Sequence, residues 1–233
     1  MSVIFDFIYD VFTSAFIRIK RLQPVQTGKL SENVFAVKTG SVNFYVYRNN
    51  LDYVLVDSGF GKSIIKRELN DLGIDPNDIS HLFLTHSDFD HVGGKSIFTN
   101  AKIWISRDEE QMITRTTARK YRFIYNSRIN MAYSLLKDND EIIVGSIRIR
   151  AIETPGHTPG SMSYLIDNKV LFVGDALKLI HGKAYPIGRF FSMDKETQEE
   201  SIRKLARLGN IQLVLTAHRG YAENFNNAME PWR

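Results

Sequence analysis

The chain has 233 residues, of which 43% are apolar and 24% charged, enough to bury the core of one large domain. It contains no cysteine, which excludes disulfide staples, thiolate metal sites and cysteine nucleophiles, so any metal must sit on nitrogen and oxygen. A formal charge of +4 attracts anions only weakly and falls far short of the Lys/Arg loading of a dedicated nucleic-acid binder, so no nucleic-acid partner is expected.

Residues 3–22 predict a helix that is aromatic and aliphatic except for a narrow stripe of Asp6, Asp10, Thr13 and Arg21, and that ends basic. Such a helix docks on its own domain or on a second subunit, or lies on a membrane surface. No apolar run reaches the roughly 20 residues of a spanning helix, and the start lacks the features of a secretory signal, so a cytoplasmic location is expected. The expected layout is an amphipathic N-terminal helix over residues 1–22 and one domain over residues 23–233.

After Pro24 come short β-rich runs, Val34 to Lys38, Val42 to Tyr47 and Tyr53 to Val56, separated by Thr39-Gly40 and Asn49-Asn50 in the manner of a meander. Lys62 to Leu72 predicts a helix closed by Gly73, and Ile79 to Leu84 a buried strand. A strand at Ala101 to Ile105 leads into a long helix over Asp108 to Leu136. This helix carries Arg115, Arg119, Lys120, Arg122 and Arg128, either as a solvated face or as an overhang that draws in an anionic substrate. The second half predicts strands at Glu141 to Val144, Ile147 to Glu153, Ser161 to Asp167, Val170 to Val173 and Gln212 to Leu215, with a helix from Asp194 to Leu208. Strands followed by helices in each half suit two sheets packed face to face with helices outside.

Chemistry-bearing residues cluster where these strands end, the places from which side chains of several strands reach one cleft. His86, Asp88, Asp90 and His91 follow the strand over 79–84, and Gly93-Gly94 then lets the backbone pass close by. His157 sits in the rigid turn Thr154-Pro155-Gly156-His157-Thr158-Pro159-Gly160, Asp175 follows Val170 to Gly174, and His218 follows the last strand. Four imidazoles and three carboxylates suffice for two divalent ions sharing one carboxylate. Two dications against three aspartates leave about one positive charge, which favours an ionised water as nucleophile. A lone histidine is more often a satisfied structural residue, but four of the six fall in this pattern; His81 and His181 do not and read as structural.

The segment Thr85-His86-Ser87-Asp88-Phe89-Asp90-His91-Val92-Gly93-Gly94 resembles the signature of the metallo-β-lactamase superfamily, a His-x-His-x-Asp-His run followed by a His, an Asp and a final His. The later matches are His157 in its Thr-Pro-Gly turn, Leu171-Phe172-Val173-Gly174-Asp175 and Leu215-Thr216-Ala217-His218, while Val56-Asp57-Ser58-Gly59 is similar to the family's early Asp-x-Gly turn. The resemblance covers about residues 30 to 225. It implies an α+β fold, the αββα four-layer sandwich. It also implies one metal on His86, Asp88 and His157 and another on Asp90, His91 and His218, with Asp175 bridging. Asp88 departs from the family by standing where the commonest pattern has a histidine, which hardens the first position. Zinc is the first expectation, with manganese or iron as alternatives.

The activity this implies is hydrolysis of a small ester, thioester, lactone or phosphodiester, neutral or anionic, with Asp90 both ligating metal and orienting the nucleophile. Two alternatives stand beside it: an iron-dependent oxidoreductase on the same fold, and a metal-stabilised module without catalysis that acts through its N-terminal helix.

Overall fold

The computed structural model describes residues 22–119, 124–188 and 191–233. The helix expected over residues 3–22 therefore lies outside the described residues, apart from its last position.

Side chains along the strands alternate between two destinations, as the two-residue period of an extended chain requires. In Val34-Phe35-Ala36-Val37, Val34 and Ala36 enter a core shared between two sheets, whereas Phe35 and Val37 enter a second core on the outer face. The first sheet runs in simple sequence through β1 (Gly28–Lys29), β2 (Val34–Thr39), β3 (Val42–Asn49), β4 (Asp52–Val56), β5 (Ile79–Phe83), β6 (Lys102–Ser106) and β7 (Tyr133–Leu136). It begins as an antiparallel meander and becomes parallel from β4 onward.

The second sheet uses β8 (Glu141–Val144), β9 (Ile147–Glu153), β10 (Met162–Ile166) and β11 (Val170–Phe172). A hairpin of β12 (Lys178–Ile180) and β13 (Lys183–Tyr185) stands apart, and β14 (Leu213–Leu215) and β15 (Tyr221–Ala222) complete the second sheet in the order β15-β14-β11-β10-β9-β8.

Helices cover both outer faces. α1 (Lys62–Asp71) places Ile65 and Leu69, four residues apart, on the outer core of the first sheet. Two single-turn helices, α2 (Phe89–Val92) and α3 (Glu110–Ile113), follow β5 and β6. On the second sheet, α4 (Lys195–Ala206) and α5 (Phe225–Met229) bury Ile202, Leu205, Ala206, Phe225, Ala228 and Met229 against Leu165, Leu171 and Val214. Asp194 caps α4 by accepting the Thr197 N–H at 3.0 Å. Helix, sheet, sheet and helix thus form the expected αββα sandwich.

The two sheets are tied reciprocally by tyrosines. Tyr45 of β3 donates to the Thr216 carbonyl at 2.7 Å, and Tyr164 of β10 donates to the Leu84 carbonyl at 2.7 Å, both buried. Tyr47 adds a third link by donating to Asp167 at 2.6 Å.

The helix expected over Asp108 to Leu136 is corrected. Helical structure ends at Ile113, and Arg115 takes a left-handed φ of 64°. Thr114, Thr116 and Thr117 are β-branched, and all three hydroxyls bond locally, Thr114 to the Glu110 carbonyl at 2.8 Å, Thr116 with the Thr114 hydroxyl at 3.0 Å and Thr117 to the Gln111 side chain at 2.9 Å. The described chain beyond them has no regular structure until Tyr133–Leu136 joins β6 as the parallel edge strand β7.

Candidate metal centre

The strand ends that deliver His86, His157, Asp175 and His218 lie at one edge of the sandwich, with α2 adding Asp90 and His91. Backbone bonds hold these ends together. Met162 donates to the Thr85 carbonyl at 2.9 Å, Ala217 to Gly174 at 3.2 Å and Asn43 to Ala217 at 2.7 Å. The turn at Ser58 is clamped to α2, its N–H and hydroxyl both donating to the His91 carbonyl at 2.7 and 2.9 Å. Gly94 fits against this turn because a Cβ there would collide with the Ser58 carbonyl oxygen.

All seven residues expected from the sequence converge. Donor atoms of His86, Asp88 and His157 lie within 4.8 Å of one another, as do those of Asp90, His91 and His218, and those of His86, His91 and Asp175. Asp175 stands between the first two groups. Its Oδ1 is 3.3 Å from His218 Nε2 and 3.7 Å from His91 Nε2, while Oδ2 is 3.5 Å from His157 Nε2. Asp90 Oδ2 lies 3.5 Å from His218 Nε2.

Three of the rings are fixed so that Nε2 faces the cluster. His91 Nδ1 donates to Asp57 at 2.7 Å and His218 Nδ1 to the Ser41 carbonyl at 2.7 Å, both acceptor-only partners. Thr85 spends its hydroxyl proton on Asp57, which leaves its oxygen to accept from His86 Nδ1 at 3.0 Å. The Nε2 atoms of His86, His91 and His218 are buried without a hydrogen-bond partner. Buried polar atoms are seldom left so, and a shell of this kind around imidazoles suits a metal ion.

The charge environment is divided. Burial alone would lower the His91 pKa, but Asp57, Asp90 and Asp175 outweigh it and raise it to about 10 in the metal-free protein. His218 is also raised, against burial, by Asp175 and Asp90. His157 goes the other way, to about 4, through burial and the neighbouring Arg119 guanidinium. Burial works to raise Asp88 and Asp175, yet Arg119 and His86 hold the former, and His218 and His157 the latter, well below the usual carboxylate range.

Arg119 is the residue whose place the sequence did not show. Its Nη2 donates to both oxygens of Asp88 at 2.7 Å and lies 3.0 Å from His157 Nε2, which is itself 3.2 Å from Asp88 Oδ2, so the cation stands within the first group of donors. Glu109 was also missed. It is buried and accepts from the Ser87 N–H at 2.8 Å, the Ser87 hydroxyl at 2.6 Å and the Thr158 hydroxyl at 2.6 Å, joining the segments that carry His86 and His157. The signal for Arg119 was the threonine-rich run 114–117, which stops a helix and frees the chain to turn inward.

The donors around Asp90, His91, Asp175 and His218 fit a divalent ion: two carboxylates stand beside the Nε2 atoms of His91 and His218, which are buried without a hydrogen bond. The group of His86, Asp88 and His157 offers the same donor types but already carries a guanidinium.

The sequence profile of the Metallo-beta-lactamase superfamily matches residues 37–218. A probable metallo-hydrolase of Methanocaldococcus jannaschii is 31% identical over 159 residues, covering 68% of this chain and 66% of that protein. A hydroxyacylglutathione hydrolase of Brucella anthropi is 32% identical over 147 residues, covering 63% of this chain and 49% of that protein. The chain thus spans just under two thirds of the first relative and about half of the second. In solved structures the same fold recurs in a B3 metallo-β-lactamase described as the first with an active-site glutamic acid. Its TM-score is 0.69 at 20% identity, covering 94% of this chain and 92% of that one. With its strand-end histidines and aspartates gathered at one edge of an αββα sandwich, the chain belongs to the metallo-β-lactamase superfamily.

Proposed function

We propose that the protein is a metal-dependent hydrolase of a small carbonyl ester, thioester, lactone or phosphodiester, with His86, Asp88, Asp90, His91, His157, Asp175 and His218 forming the centre. The family is one of metal-dependent hydrolases, which supports the reaction class. The observation that carries the reading is the set of buried Nε2 atoms of His86, His91 and His218, fixed by Thr85, Asp57 and Ser41 and left without a hydrogen bond. A bound divalent ion would supply an acidified water and an electrophile for the substrate oxygen.

The protein residues do the rest. Asp90, His91, Asp175 and His218 would hold that ion, zinc by first choice for a mixed nitrogen and oxygen set, with manganese or iron as alternatives. Asp90, on the first turn of α2, would orient the nucleophile and accept its proton. Asp175, placed between the two groups of donors, keeps their spacing. The sequence expectation of two ions has both groups to draw on, although the chemistry needs only one. Among substrates the carbonyl class stands first, because the relative from Brucella anthropi is named for an acylated glutathione.

Turnover of a lactone, thioester and phosphodiester panel, measured together with metal content, tests this for the native chain and Asp175→Ala. Bound metal and turnover in the native protein, both lost in the variant, are expected. A native protein that binds no metal and turns over nothing would overturn the reading.

A further inference from the structure

Arg119 does more than neutralise a neighbour. All three guanidinium nitrogens have acceptors: Nε donates to Asn126 Oδ1 at 2.9 Å, Nη1 to the Phe191 carbonyl at 3.0 Å, and Nη2 to the Asp88 carboxylate at 2.7 Å, with His157 Nε2 3.0 Å away. Its backbone N–H donates to the Ile124 carbonyl at 2.8 Å. Asn126 is itself buried and donates to the Ser87 hydroxyl at 2.9 Å, which ends on the buried Glu109. The guanidinium is therefore positioned by neutral acceptors and a buried network as well as by the charge of Asp88. A planar fork held at each nitrogen keeps its geometry.

Two of the three donors that would hold the first ion, Asp88 and His157 Nε2, face Arg119 Nη2 at 2.7 and 3.0 Å. A dication cannot share those lone pairs with a fixed cation at that distance. We propose that Arg119 permanently fills the first of the two cation positions, so that the centre takes a single metal ion at Asp90, His91, Asp175 and His218. The inference rests on reading the cluster as a metal centre and changes its composition.

Charge is consistent with it: one dication and one guanidinium match the three negative charges of Asp88, Asp90 and Asp175 in number. The chemistry follows. The guanidinium, 15% exposed at its side chain, takes the part a second ion would play by setting a fixed positive charge beside the substrate oxygen on which negative charge develops. The Asp at position 88 then makes sense, because a carboxylate accepts from a guanidinium more strongly than an imidazole does.

The test is metal stoichiometry after loading with excess zinc and removal of free ion. Native protein and Arg119→Lys, which keeps the charge, are expected to hold about one ion per chain, and Arg119→Met, which keeps much of the stem, about two. Manganese loading gives an independent spectroscopic readout: an isolated ion in the native protein and a spin-coupled pair in Arg119→Met. Two ions in the native chain, or one in both native and Arg119→Met, would overturn the inference while leaving the hydrolase reading intact. No ion in any of them would remove both.

Discussion

The imidazole of His91 and the carboxylate of Asp57 meet at 2.7 Å although 34 positions separate them in the chain, and neither is open to solvent. Asp57 adopts a left-handed φ of 61° and also accepts the Thr85 N–H at 2.8 Å, so one carboxylate orients both His91 and, through Thr85, His86. Asparagine tolerates that backbone and keeps an acceptor for Thr85, but it loses the charge that steadies the ring. Asp57→Asn is expected to weaken metal binding about 10–100-fold with the fold retained. Competition against a chromophoric chelator measures this, and an unchanged affinity would reduce Asp57 to a space-filling role.

Metal binding should be strongly pH-dependent. With the His91 pKa raised to about 10 in the metal-free protein, an incoming ion has to displace a proton from Nε2 at neutral pH. The sign follows: the apparent affinity rises as pH rises from the ordinary histidine value of 6.5 toward 10, and flattens above it. Calorimetry in buffers of different ionisation enthalpy should show proton release at pH 7, and none would contradict the prediction.

Chelation should destabilise the fold. An ion that binds only the native state adds about 2.7 kcal/mol at a free concentration a hundred times its Kd. Removing it also takes a positive charge from beside Asp90 and Asp175, which both lie close to His218 Nε2. A melting curve should shift down with chelator and recover when zinc is restored in excess. Identical curves would mean that the ion contributes nothing to folding.

Glu109 holds two ligand segments and the arm bearing Arg119 in place. Truncation in Glu109→Ala strands the Ser87 N–H and the Ser87 hydroxyl proton, at about 1–3 kcal/mol for each buried group left unsatisfied. Glu109→Gln keeps one acceptor oxygen and should lose less. Denaturant titration ranks the two variants, and equal losses would place the effect in side-chain volume instead of hydrogen bonding.

Gly94 marks the closest approach of α2 to the turn at Ser58. Gly94→Ala forces the carbonyl of Ser58 aside, and with it the clamp on His91, at an expected cost of about 1–3 kcal/mol. The same variant should lose metal affinity, and stability measurements paired with zinc titration would separate the two effects. An alanine variant with native values would show that the turn has slack.

Much of the sandwich was legible because its strands are short, alternating and punctuated by turn residues: β8 and β9 fall at Glu141–Val144 and Ile147–Glu153 as expected, and β5 and β11 each end one residue sooner. The ligand candidates were legible for the same reason, since His86, His157, Asp175 and His218 each directly follow a strand or sit in a rigid turn. Arg119 was not. Five basic residues on a polar stretch read either as a solvated helix face or as an overhang that draws in an anion, and only the tertiary arrangement shows that Thr114 to Thr117 break the helix and that Arg119 pairs with Asp88. Glu109 escaped notice because nothing local distinguishes a buried carboxylate from an exposed one at a helix start, its partners Ser87 and Thr158 lying 22 and 49 positions away.

The reciprocal tyrosine links have a mechanical consequence. Tyr45 and Tyr164 each anchor one sheet to a carbonyl of the other, and in both cases that carbonyl, on Thr216 or Leu84, lies two residues before a histidine of the cluster. Any slip of one sheet along the other is thereby transmitted to His218 and His86, altering the spacing of donors that come from opposite sheets. A coloured ion such as cobalt, seated among them, would act as a strain gauge for the whole sandwich, its absorption shifting with pressure or temperature before the strands themselves come apart.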